Sequence, residues 1–242
     1  MKLLFLLTTV VFLSVESSSA VEDMPEPPFG DTVGTVFDII RKDDPSSFVC
    51  MRYQGRADRQ IWDKRIDGEP FYRTFNFSAY FTDGTEISLL INPEFGSAEK
   101  AKAEAQHYTK ALGQLPTSLR EGIKRFSVHK GDQSSHAGTG QIVIYAETAT
   151  QRESYLHLEE TIFHEAVHAS WDVEHSLSKE WIAAQKADGH FLTRYGQRSP
   201  DKEDLAETAL FAYGVLHYPG RIFPVDTRDI LASVPNRIAY IR

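Results

Sequence analysis

His164-Glu165-Ala166-Val167-His168 is the stretch on which the reading of this chain turns. On an α-helix, residues four apart share a face, one turn above the other. Two imidazoles at that spacing can grip one Zn2+, and Glu165, beside the first, can then reach a water on the same ion. The H-E-x-x-H pattern fixes only three of its five positions, and two surface histidines flanking an acid would spell it as well. Context therefore has to decide.

Upstream of the motif, residues 156–163 contain no Gly or Pro. Leu158, Ile162 and Ala166 recur every four residues, as do Val167 and Trp171, with Leu156 just upstream, the pattern of a helix with a broad buried face. A long helix is expected, capped near Ser154 and Tyr155. Asp172 falls one turn beyond His168, where it could accept the spare ring N–H of a ligating histidine or stand as a solvated acid near a helix end.

A catalytic zinc needs a third protein ligand and a position left for water. The metzincin pattern is excluded, because Trp171 stands where its glycine would be and His175 falls one residue late. The stretch Glu203-Asp204-Leu205-Ala206-Glu207 is the better candidate. Pro200 and Asp201 mark a helix start, and Glu203 and Glu207 lie one turn apart on one side. One could bind the metal while the other orients a ligand histidine; an acidic solvated face is the alternative.

HEAVH, followed by Tyr195-Gly196 and the EDLAE segment, resembles the signature of gluzincin metallopeptidases, in particular the catalytic domain of the anthrax lethal factor type. The resemblance covers about the last third of the chain and implies a zincin-like fold, with an active-site helix carrying HExxH and a following glutamate helix. By position it makes His164, His168 and Glu203 the metal ligands, Glu165 the catalytic acid–base, Glu207 a supporting acid and Tyr195 a phenol near the metal. The spacer between Tyr195 and Glu203 is one residue longer than in that pattern. Trp181 to Gly189, with the EDLAE segment, is also similar to small secreted proteins of unassigned substrate. The resemblance further implies a peptide or protein substrate, paired with an edge strand at residues 141–145; a plain core strand there is the alternative.

Composition points outside the cytoplasm. Met1-Lys2 precedes an apolar run at residues 3–15, and Ser18-Ser19-Ala20 offers small residues for cleavage, so residues 1–20 read as a signal peptide of a secreted (or periplasmic) protein. No later run approaches the length of a membrane span. A net charge of −8 without a basic patch gives no reason to expect nucleic acid as a partner. Cys50 is the only cysteine, so stability must come from a core; in an apolar setting it reads as a buried small hydrophobe. Asn76-Phe77-Ser78 fits a glycosylation sequon within an alternating strand.

The remainder divides into an acidic, Pro-rich arm at residues 21–35, expected to be mobile, an α+β part at residues 36–114 and the zincin-like part at residues 115–242, the last two forming either separate modules or one domain. Strands are expected at residues 48–53, 126–129 and 141–145, a hairpin at 75–91, a helix at 98–112 capped by Ser97 and a short helix at 119–123. Strands early and helices late give an α+β class. The loop at residues 131–140 is rich in Gly and Ser but lacks the Gly-Lys-Ser/Thr of a phosphate loop; His136 within it could approach a substrate. Two other functions fit the same residues: a secreted, non-catalytic zinc-binding module, or a zinc hydrolase acting on a non-peptide carbonyl.

Overall fold

The computed structural model describes residues 25–242. The expected signal peptide and the first residues of the acidic arm lie outside them. One mixed sheet contains β1 (Phe48–Gln60), β2 (Phe71–Phe81), β3 (Glu86–Ile91), β4 (Arg125–His129), β5 (His136–Gly138) and β6 (Gln141–Tyr145) in the order β1-β2-β3-β4-β6-β5. The first three strands run antiparallel, β3, β4 and β6 are parallel, and β5 returns antiparallel on β6. Helix α1 (Ala98–Gln114) makes the crossover between the parallel strands β3 and β4 and is followed by α2 (Thr117–Arg120). The sheet then gives way to α3 (Ala146–Ser154), α4 (Leu158–Ser170), α5 (Lys179–Asp188), α6 (Arg194–Arg198), α7 (Asp204–His217), α8 (Pro224–Ser233) and α9 (Pro235–Ile241). The class is α+β, as the order of strand and helix signals implies.

Local chemistry accounts for these elements. The β2–β3 hairpin turns at Asp83-Gly84, where Asp83 Oδ1 accepts from Thr85 N at 3.1 Å and Gly84 takes a φ of +84°. Ser97 caps α1 by accepting from Lys100 N at 3.3 Å. Ala101, Ala105, Tyr108 and Leu112, spaced by four, three and four, bury one face of α1 on the sheet. Along β6, Ile142 and Ile144 enter the main core, while Val143 and Tyr145 join a smaller cluster with Ile61 and Leu90. The main core runs without a break from Phe75 and Ile87 through Leu112 and Phe126 to Ile162, Leu210 and Ile238, so the stretches before and after residue 115 share it.

Several expectations are corrected. β6 is an interior strand and β5 is the edge, because β5 pairs with the side of β6 that faces away from β4. β1 runs seven residues beyond the expected strand, to Gln60, and as an edge it is charged and largely exposed, which protects it from further pairing. Cys50 on it is half-buried rather than enclosed. Asn76 is buried and its Nδ2 donates to the carbonyls of Gly55 and Thr74, which closes the sequon to a glycan in the folded chain.

A further correction concerns the arm. Its described residues are docked. The Phe29 ring stacks on Phe211 with centroids 4.7 Å apart, Phe29 N donates to Leu192 O at 3.1 Å, and Thr32 is 2% exposed. Pro and acidic residues set the composition of the arm, whereas Phe29 and Thr32 set its contacts. The strap continues with Ile39 and Ile40, whose amides both donate to the buried Glu160 of α4.

Candidate metal centre

The register of α4 fixes the site. Ile162, Phe163, Ala166 and Val167 are all 1% exposed or less, packed into the core. Burying an Ile, Phe or Val side chain is worth about 1.5–3 kcal/mol each, so no other rotation of the helix competes. With that face inward, His164 and His168 fall together on the opposite side, one turn apart. The helix is shorter than the sequence implies. Leu156 adopts a φ of +62°, breaks α3 from α4, and leaves His157 rather than Ser154 or Tyr155 as the cap residue.

Helix α7 brings the third side chain. Phe163 of α4 stacks on Tyr213 of α7 at 5.0 Å, and the small residues Ala206 and Ala209 are fully buried along α7. Glu203 is the residue that caps α7, and its carboxylate closes on the two rings. His164 Nε2 and His168 Nε2 are 3.1 Å apart, and Glu203 Oε2 lies 3.4 and 3.2 Å from them. Zinc–ligand bonds of about 2.0–2.1 Å place neighbouring corners of a tetrahedron about 3.3–3.4 Å apart. The three atoms thus form a triangle of that size, and His164, His168 and Glu203 are the residues that could hold a cation.

Other carboxylates stand behind the rings. Asp172 Oδ2 lies 2.8 Å from His168 Nδ1. Glu207 Oε1 lies 3.2 Å from His164 Nδ1, although the angle falls short of a well-formed hydrogen bond. Glu203 and Glu207 are thereby separated in place: the first meets both Nε2 atoms, the second backs one ring from the far side. Burial works against charge on the rings, yet Asp172, Glu203 and Glu207 outweigh it and raise the proton affinity of both. Burial likewise works against charge on Glu203, and the two histidines still hold its carboxyl well below the usual range.

A cavity of about 600 Å³ opens onto this triangle, and Glu165, Tyr195, Lys64 and His136 are in its wall. Burial pushes the Glu165 carboxyl up, with His164, His168 and Lys64 opposing. Burial and the neighbouring Glu203 push the Tyr195 phenol up, so it stays a hydrogen-bond donor. Lys64 was not legible in the sequence. It is placed by a short network in which its amide donates to Tyr145 Oη at 2.7 Å and that hydroxyl bonds Asp63 Oδ1 at 3.1 Å. Its ammonium donates to Ser134 Oγ and to the carbonyls of Ser134 and Ser135, which orders the loop before β5. Burial and Lys64 push the His136 ring down to about 4, so it is neutral near pH 7. Thr32 was missed as well, since its partner Glu207 is 175 residues away.

The chain matches no protein-family model, no curated protein and no solved structure.

Proposed function

We propose that this chain is a zinc-dependent metallopeptidase in which His164, His168 and Glu203 hold the ion. The observation that carries the reading is the triangle of 3.1, 3.2 and 3.4 Å formed by their ligand atoms beside an open cavity. The donor set fits zinc: two neutral imidazoles and a carboxylate leave a fourth corner, and each ring has a carboxylate behind its other nitrogen. A zinc ion so held supplies Lewis acidity toward a scissile carbonyl and toward water. Glu165, whose raised proton affinity suits a group that accepts and then returns a proton, serves as general base and then acid toward the leaving amine. Tyr195 donates a hydrogen bond from its phenol to the developing oxyanion. Peptides and proteins are the proposed substrates, and secretion, or export to a periplasm, follows from reading residues 1–20 as a leader. Among the described residues, no helix is long and apolar enough to cross a membrane.

The test joins elemental analysis of the purified chain to cleavage-site mapping on denatured proteome peptides, with and without a chelator. One zinc per chain and chelator-sensitive peptide cleavage are expected. Stoichiometric zinc without cleavage would leave a non-catalytic zinc module or a hydrolase of another carbonyl, and absence of bound metal would end the reading altogether.

A further inference from the structure

The strap that precedes β1 is bound to both walls of the site. On one side it pairs with the segment carrying Tyr195: Arg194 N donates to Phe29 O at 2.9 Å and Tyr195 N to Gly30 O at 3.0 Å. On the other it grips Glu207 with the two donors of one residue. Thr32 N donates to Glu207 Oε2 at 3.0 Å and Thr32 Oγ1 to Glu207 Oε1 at 2.8 Å. Glu207 Oε1 is the same oxygen that faces His164 Nδ1. The contact is sealed, since Thr32 and Glu207 are 2% and 1% exposed. Further along, Thr35 O faces His157 Nε2 at 3.1 Å, and the amides of Ile39 and Ile40 share Glu160 Oε1. The strap thus crosses α4 and α7, the two helices that bring the candidate ligands together.

From this geometry we infer that Thr32 is a positioning residue of the metal centre, acting through Glu207 on His164, and that the strap is a built-in part of the site. The inference rests on the zinc reading above. A carboxylate with both oxygens bonded to one threonine cannot swing away, so its Oε1 stays 3.2 Å from His164 Nδ1. A carboxylate held there favours the proton on Nδ1, which leaves the Nε2 lone pair for the cation. The hydroxyl, rather than the bulk of Thr32, supplies this hold on Oε1, and valine has nearly the same shape without the donor.

The experiment measures zinc affinity by chelator competition for the full chain and for Thr32→Val, Thr32→Ser, Thr32→Ala and Glu207→Gln, with Thr109→Val on helix α1 as control, since the Thr109 hydroxyl bonds only Gln106 O. Thr32→Val and Thr32→Ala are expected to weaken zinc binding about tenfold or more, the range typical of residues that orient ligands. Thr32→Ser should bind as the unaltered chain does, and so should Thr109→Val. Adding Thr32→Val to Glu207→Gln should cost little more than Glu207→Gln alone, because both act along one line. Circular dichroism and melting of the metal-free variants separate loss of fold from loss of the site; if Thr32→Val does not fold, Thr32→Ala and Thr32→Ser carry the comparison. An unaltered chain that takes up no zinc would defeat the metallopeptidase reading and this inference together. Stoichiometric zinc in the unaltered chain, with an affinity that neither Thr32→Val nor Thr32→Ala changes, would defeat the inference alone, as would a full additional loss in the Glu207→Gln background.

Discussion

Asp172 Oδ2 lies 2.8 Å from His168 Nδ1, one turn further along the chain. The residue belongs to the wide turn Asp172–Ser176 that follows α4, so the same helix that carries both histidines also ends on the acid behind the second. Such partners fix the ring and its tautomer and raise its basicity. Asp172→Ala is therefore expected to weaken zinc binding by roughly 10–100-fold. The side chain is 30% exposed, so the metal-free variant should melt within about 0.5 kcal/mol of the unaltered chain. Chelator competition and thermal melting give the two numbers; a large loss of stability with unchanged affinity would mean that Asp172 holds the helix end instead of the ring.

Glu165 neighbours His164, a proposed ligand, in sequence but lies outside the triangle of His164, His168 and Glu203. Its replacement should separate metal binding from turnover. Glu165→Gln keeps shape and burial and removes the proton acceptor, so zinc content should stay at one per chain while kcat falls by roughly 10²–10⁴-fold. Near-normal turnover in that variant would remove Glu165 from the chemistry.

What could be read in the sequence was what is local. The spacing of His164 and His168, the cap at Ser97 and the Asp83-Gly84 turn are each decided within a few residues, and the structure contains all three. The pair Glu203 and Glu207 was legible as two acids one turn apart, but their division between ring nitrogens depends on how α7 meets α4. Contacts made over long separations left no signal. Thr32 meets Glu207 from a stretch whose prolines and acids suggest mobility, and Lys64 enters the cavity through a loop between two strands. The break at Leu156 was hidden because a leucine, not a glycine, takes the positive φ. For β6 the signal was present: four consecutive apolar residues, Ile142 to Tyr145, suit a strand buried on both faces, and the alternation expected of a half-exposed edge is missing.

The approach of Glu203 depends on an ion pair one residue away. Asp204 Oδ1 lies 2.6 Å from Arg237 Nη1, and Arg237 also binds Asp188 through Nε at 3.0 Å, with all three side chains nearly or fully buried. The pair ties α9 to the start of α7 and to the end of α5. Asp204→Ala would leave a buried guanidinium short of a partner, which should cost about 3–5 kcal/mol by denaturant unfolding and reduce zinc content as well. Removing Arg237 as well would not recover the loss, because Asp188 would then be left buried without its cation. If the single variant unfolds at the same denaturant concentration as the unaltered chain, the pair does not anchor α7.

Glu160 gives the fold a pH dependence of predictable sign. Burial pushes its carboxyl up to about 8, against the pull of the Ile39 and Ile40 amides that donate to Oε1; nearby Asp38 adds to the rise. Its other oxygen faces His157 Nδ1 at 3.9 Å, and that ring's Nε2 is on Thr35 O. The folded chain therefore keeps a proton on Glu160 at pH values where the unfolded chain, with a carboxyl near 4.5, has released it. The stabilisation is complete below about pH 4.5, declines as pH rises, and is gone once pH passes about 8. Glu160→Gln keeps an acceptor for the two amides and cannot ionise. The stability of the unaltered chain should fall relative to Glu160→Gln between pH 5 and 8, by on the order of a few kcal/mol, and the difference should stop growing above pH 8. Comparing the two chains at each pH cancels the other titrating groups, so parallel stability curves across this window would show that Glu160 is ionised in the folded state.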